Sequence, residues 1–181
     1  MSWSHSRFEE PATALVSTAE AKAHLRVVGT ADDSYIDALV LAATFFVQQY
    51  TGYRCYEQNF IEYIDTFPPT REMPLHLYPT TGIEVRYYDT DDVQQTMDAA
   101  DFWDHQYKKP STVEVKSAWP ATSSRMGAVL VLGTAGQSTC PPDILHAIKL
   151  IVGHWYEYPD ETSVSIPAAA KALLLQWRIF R

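Results

Sequence analysis

The chain has 181 residues, enough for one domain with room for an insertion or arms, and its apolar and charged fractions (46% and 20%) are those of a globular protein. A net charge of -8 argues against a protein that grips nucleic acid, which needs a basic stripe to displace counterions from phosphate; an acidic surface can instead face DNA without holding it. No apolar signal segment opens the chain and no run approaches the roughly 18 apolar residues of a membrane span, so the expectation is a cytoplasmically made protein, off the membrane, with Cys55 and Cys140 as free thiols.

Residues 1–15 show no apolar period and read as a flexible N-terminal arm. Ser17-Thr18-Ala19-Glu20 then fits a capping box, in which the serine hydroxyl caps an early N–H and the glutamate reaches back. The helix it opens, about 17–28, turns Ala21, Leu25 and Val28 inward and stops at Gly29. Asp32 or Asp33 is suited to cap a second helix, about 33–51, and to meet its positive end. Ile36, Leu39, Val40, Ala43, Phe46, Val47 and Tyr50 recur there at three- and four-residue steps, the pattern of a one-sided apolar stripe, and Gly52 ends it.

The period changes after Tyr56. Residues 60–67 are aromatic and β-branched with interleaved charges, Pro68-Pro69 breaks them, and Leu75-His76-Leu77 is a short extended piece. Residues 83–88 alternate cleanly and turn through Asp89-Thr90-Asp91-Asp92 into 93–97, a predicted hairpin. Phe102-Trp103, 112–116 and 128–132 supply further short strands, so 56–134 reads as an antiparallel β insertion. Pro142 fits the first turn of a helix at about 142–158, with Ile144, Ala147, Ile148, Ile151, Val152 and Trp155 as its stripe. After a linker, a last helix at about 167–178 runs into Trp177-Arg178-Ile179-Phe180-Arg181. The fold class is therefore α+β: a helical bundle carrying a β insertion, with 1–15 as an arm, 16–166 as the main domain and 167–181 as a C-terminal helix and tail. Ile36, Leu39, Val47, Ile148 and Trp155 are the expected helical core.

Searches for chemistry return structural readings. His146 and His154 share a helix but lie eight residues apart, about 12 Å of rise, so one metal ion cannot bind both. The run from Asp89 to Asp92 lacks the central glycine and closing glutamate of a calcium loop and fits a solvated turn. No Gly-x-Ser-x-Gly elbow exists, Cys55 has no histidine near it in sequence, and Gly133-Thr134-Ala135-Gly136 lacks the lysine of a phosphate loop. Neither catalytic, metal nor cofactor residues are expected. Trp177 to Arg181 combine large apolar groups with arginines, the composition of an interface anchor, although packing of Trp177 in its own core is the plainer alternative.

In order along the chain, Ala19-Glu20-Ala21-Lys22-Ala23-His24-Leu25-Arg26, Asp32-Asp33, Ala42-Ala43 to Val47, Tyr50-Thr51-Gly52, the stretch from Ile83 to Asp89, Trp119-Pro120, Ala135-Gly136 and Pro142 to His154-Trp155-Tyr156-Glu157 make a recognisable set. Over roughly 16–157 the sequence resembles the head–tail connector (adaptor) proteins of tailed bacteriophages and prophages, departing from them in the N-terminal arm and around 104–110. The resemblance implies a non-enzymatic virion protein, assembled in the host cytoplasm as a homo-oligomeric ring of roughly twelve subunits beneath the portal protein. Such a ring extends the channel through which packaged DNA passes and docks a stopper or tail-completion protein. The tail, Trp177 to Arg181, is the expected portal contact, and a chain ending near Pro167 is expected to fold without binding the portal. A head-completion stopper or tail-terminator ring is the alternative, disfavoured by the helices because those proteins are mostly β. An enzyme would instead need a pocket gathering His146, His154 and acidic groups, and a stand-alone interaction domain would stay monomeric.

Overall fold

The computed structural model describes residues 14–106, 108–159 and 166–179 together with the backbone of 4–8. The chain divides into two units. One is helical, from Pro11–Cys55 and Ser138–Arg181; the other is β, from Met1–Glu10 and Tyr56–Gln137.

The helical unit holds α1 (Thr18–Leu25), α2 (Asp33–Thr51), α3 (Pro142–Glu157) and α4 (Ala168–Leu175). The predicted capping box opens α1: the Glu20 backbone N–H donates to Ser17 Oγ at 3.3 Å, and Ser17 N–H donates to Glu20 Oε2 at 3.0 Å. The helix ends sooner than expected, because Arg26 takes a left-handed conformation at φ 60°, and Val28, expected inward, is almost fully exposed. The two aspartates at the start of α2 serve other partners than its N–H groups. Asp32 Oδ2 accepts from the Tyr156 hydroxyl of α3 at 2.7 Å, and Asp33 pairs with Lys22 of α1 at 2.5 Å. Gly52 closes α2 at φ 76°, as its sequence position predicts.

Helix α3 packs against α1, α2 and α4. It buries Ile144, Ala147, Ile148, Ile151 and Val152, each contributing on the order of 1.5–3 kcal/mol for the larger side chains. Of the five expected core residues, Ile36, Val47 and Ile148 are buried to 1% exposure or less. Leu39 and Trp155 are only partly buried, a correction to the expected core. Leu39 flanks the buried line Ile36–Val40–Ala43–Val47, and Trp155 sits beyond the buried face of α3 with its ring edge-on to Phe46 at 6.0 Å.

In the β unit, β1 (Ser4–Phe8), β2 (Gln58–Ile64), β4 (Thr80–Tyr88), β5 (Gln94–Thr96) and β8 (Val129–Ala135) form a sheet of order β1-β2-β8-β4-β5. A second sheet has the order β3-β7-β6, from β3 (Glu72–Pro74), β6 (Phe102–His105) and β7 (Thr112–Val115). Every pairing is antiparallel. The buried side chains of both sheets share one core, including Phe60, Val85, Val129 and Val131 from the first and Met73, Phe102 and Val113 from the second. Trp119 closes it, stacked on Phe67 at 4.6 Å with its indole N–H donated to the Thr70 carbonyl at 2.7 Å.

Two strands depart from expectation. Ser4–Phe8 lies in the expected arm yet pairs in register along β2, from Ser4 opposite Ile64 to Phe8 opposite Phe60. The remainder of 1–13 lies outside the described residues. Leu75 and Leu77 are buried and His76 is half-buried, none of them in a strand, while the neighbouring Glu72–Pro74 pairs with β7. At this bend Glu62, fully buried on β2, accepts the His76 backbone N–H at 3.1 Å and contacts the His76 ring, which gives a carboxylate in the sheet interior its partners.

Candidate assembly surfaces

The C-terminal tail begins docked on its own chain. Thr51 Oγ1 donates to the Val47 carbonyl at 2.7 Å and accepts the Tyr53 N–H at 3.1 Å, which holds the chain leaving α2. The Ile179 N–H then donates to the Thr51 carbonyl at 2.9 Å. Trp177 meets Tyr53 edge to face at 5.0 Å, and the Arg178 guanidinium lies over the Tyr50 ring at 4.9 Å. Within the expected portal-contact set, Trp177 and Ile179 are therefore partly covered by the same chain, Arg178 is exposed, and Phe180 and Arg181 lie outside the described residues. Because α4 buries Ala170 and Leu174 against the helical unit, ending the chain near Pro167 removes part of its core. That burial counts against the expectation that such a truncation leaves the fold intact.

Tyr53 also belongs to a small cluster with the two cysteines, of which Cys140 is only partly buried. Cys55 is buried and hydrogen-bonded to Cys140, and this contact, together with burial, pushes the Cys55 thiol well above its ordinary pKa. Burial and the two neighbouring thiols push the Tyr53 phenol up to about 12. Such a thiol is a poor nucleophile, since only the thiolate reacts.

The histidines do not converge. His146 packs edge-on against His24 of α1 at 6.2 Å, whereas His154 lies 5.2 Å from the Tyr158 ring. Among the described residues no three His, Cys, Asp or Glu side chains come together as a metal ion would need. A cleft of about 440 Å³ in the β unit, lined by Tyr87, Met97, Asp98, Asp101 and Lys116, includes no histidine.

Partial desolvation against α3, then the neighbouring His146 and Lys149, hold the pKa of the largely exposed His24 below its usual 6.5. The folded chain thus resists protonation there while the unfolded chain accepts it. Stability is complete above pH 6.5 and falls as pH drops through the folded-state value. We expect His24→Gln to flatten the loss of stability as pH falls below about 6.5, read from denaturant midpoints across a pH series. An unchanged slope would remove His24 as its source.

The turn from Asp89 to Asp92 is organised by Asp89 and tied to Arg125, whose guanidinium pairs with Asp92 at 3.5 Å. Asp89 Oδ1 accepts the backbone N–H groups of Asp91 and Val93, both at 3.0 Å, and Oδ2 accepts Gln95 Nε2 at 2.8 Å. The Gln95 bond leads the causes that hold the Asp89 pKa below the usual carboxylate range. Its oxygens are committed to the hairpin, as the turn reading predicts.

What sequence reasoning missed is that α2 is apolar on two faces. Opposite the buried line, Ala38, Leu41, Ala42 and Phe45 are exposed, Leu41 at 46% and Phe45 at 50%. On α4, Ala168, Ala169, Ala172 and Leu175 are exposed as well. The available signal was the absence of any Lys or Arg from α2, which leaves its solvent side without the usual charges.

Comparison with known proteins gives this architecture a setting. The neck of an empty GTA particle, computed with C6 symmetry, contains a chain of TM-score 0.76 and 21% identity, covering 97% of this chain and 96% of that one. A chain in the virion of a native gene transfer agent (GTA) particle gives 0.75 at 21% identity, covering 96% of each. The neck of a native GTA particle computed with C12 symmetry gives 0.70 at 20%, covering 97% of this chain and 96% of that one. No curated protein matches the chain in sequence. Among the described residues no helix is long and apolar enough to cross a membrane. The head completion protein family matches residues 14–169, nearly the whole helical unit with its β insertion, and the chain belongs to that family.

Proposed function

We propose that this chain is the head–tail connector of a tailed phage or phage-like particle, a structural protein of the virion located between head and tail. The observation that carries this reading is the head completion family match across 14–169, which takes in both units. The similarity of its fold to chains in GTA necks computed with C6 and C12 symmetry supports a ring, and a ring of twelve copies is the finer form of the proposal. Beneath the portal protein, that ring extends the DNA channel and offers its far face to a stopper or tail-completion protein. Its work is positional and not catalytic: subunits hold partners in register and leave a passage open. Exposed Arg178 and the Phe180-Arg181 end reach the portal, while Trp177 and Ile179 fix the base of the tail to α2.

Electron microscopy of the chain mixed with its portal tests this directly. The expected result is a ring capping the tail-facing side of the portal, with density continuous from the end of α4 into the portal. A ring found one layer lower, touching only another neck protein, would favour the stopper role. No binding to portal or particles would sink the connector reading.

The acidic balance of the chain gives a further expectation. A channel wall that lets DNA slide must not bind it, and net charge -8 offers little counterion release. The purified ring is expected to leave double-stranded DNA unshifted in a gel at about 0.15 M salt. Retention that weakens steeply with added salt would mean a basic lining and overturn the acidic-channel idea.

A further inference from the structure

A helix apolar all round is a buried helix, yet α2 keeps Ala38, Leu41, Ala42 and Phe45 in solvent while burying its other face. The same helical unit carries a second uncovered apolar stripe, Ala168, Ala172 and Leu175 on α4. The two stripes differ in charge. Helix α2 holds only acids, Asp33 and Asp37: Asp33 is paired to Lys22, and Asp37 Oδ1 accepts the Thr18 hydroxyl of α1 at 2.5 Å, which leaves its exposed Oδ2 for a cation. Helix α4 holds a single charge, the exposed Lys171, which has no ion-pair partner among the described residues.

The spacing also matches. Asp37 and Leu41 are four residues apart on α2, and Lys171 and Leu175 are four apart on α4, so each pair lines one helix face. Laying the two helices side by side in parallel therefore sets acid against base and leucine against leucine together. The exposed alanines let the backbones approach closely, and Phe45 adds apolar area. Pairing α4 with itself about a two-fold axis would instead bring Lys171 near Lys171, at the middle of a short helix.

We infer that the outward face of α2 in one copy packs on the outward face of α4 in the next copy, with Asp37 toward Lys171 and Leu41 toward Leu175. Because the two faces are different patches of one chain, the contact is heterologous, and repetition closes a ring when the rotation permits. This inference rests on the ring reading above and names the surface that builds the ring.

The test uses the full chain carrying Leu41→Cys and Leu175→Cys, free and bound to the portal, treated with a short bis-maleimide and run under denaturing conditions. The single variants control for Cys55 and Cys140. A ladder of covalent multimers from the double variant, with neither single variant cross-linking, is the expected result. Cross-linking by Leu41→Cys alone would mean α2 pairs with α2 and would overturn the inference. Rings visible by electron microscopy with no ladder would overturn it too, while leaving the ring reading standing. If no ring appears in any condition, the ring reading itself fails and takes the inference with it. Charge reversal supplies a second readout: Asp37→Lys or Lys171→Asp is expected to weaken self-association about two- to fivefold, and the Asp37→Lys/Lys171→Asp pair to restore it. Failure of the pair to recover would refute the proposed register.

Discussion

Gly136→Ala is expected to cost about 3 kcal/mol or more and to lower the melting temperature by roughly 6–12 °C. A Cβ at Gly136 would stand 1.9 Å from the Tyr56 carbonyl oxygen and 2.4 Å from its carbon, both backbone atoms that no rotamer change can move aside. The backbone there is also at φ +107°, a region that side chains rarely enter. The glycine is held in place because its N–H donates to the Pro79 carbonyl at 2.9 Å as β8 ends. Gly82→Ala is the control. Gly82 has φ +63° and nothing within 4 Å of where its methyl would lie, so only the left-handed backbone penalises it, by about 1–2 kcal/mol. Thermal melts of the two variants separate the effects, and equal melting temperatures would remove the steric explanation for Gly136.

Ile148→Ala is expected to destabilise the chain by about 2–5 kcal/mol, against about 1 kcal/mol for Leu39→Ala. Ile148 is 0% exposed at the centre of α3, which packs against the three other helices, so the removed carbons leave a cavity with few means of collapse. Leu39 is only partly buried at the margin of the α2 stripe, where solvent and neighbouring side chains fill the space. Denaturant unfolding of both variants would measure the difference. Matching losses would mean that Leu39 belongs to the core as the periodicity alone implies.

That contrast marks what the sequence could reveal. Periodicity located the four helices and the capping box of Ser17 and Glu20, because those features depend on residues within one or two turns of each other. The same periodicity could not rank Leu39 or Trp155 below Ile36 and Ile148, since the ranking depends on which neighbouring helix covers them. It also read α2 as one-sided, although Leu41 and Phe45 were in plain sight off the stripe. β1 was not legible, because an edge strand such as Ser4–Phe8 is recruited by the open backbone of β2 and needs no alternation of its own. The C-terminal tail was legible as composition only: that Trp177 turns onto Tyr53 and Ile179 onto Thr51 depends on residues far away in sequence.

The contact between Cys55 and Cys140 has a consequence for how the chain reaches its fold. It means the ends of the β insertion leave and return at one point, so the two halves of the helical unit are joined through a closed loop, residues 56–137. During synthesis α1 and α2 emerge long before α3, and their apolar faces must wait for it. Bringing such distant segments together is an entropic cost that grows only slowly with loop length, but it places the step late and makes it slow. A β unit that collapses early shortens the search by drawing its own ends together. If the insertion folds first it gathers the two halves of the helical unit, and replacing it with a short turn between the two cysteines is expected to speed that docking, as read by refolding kinetics.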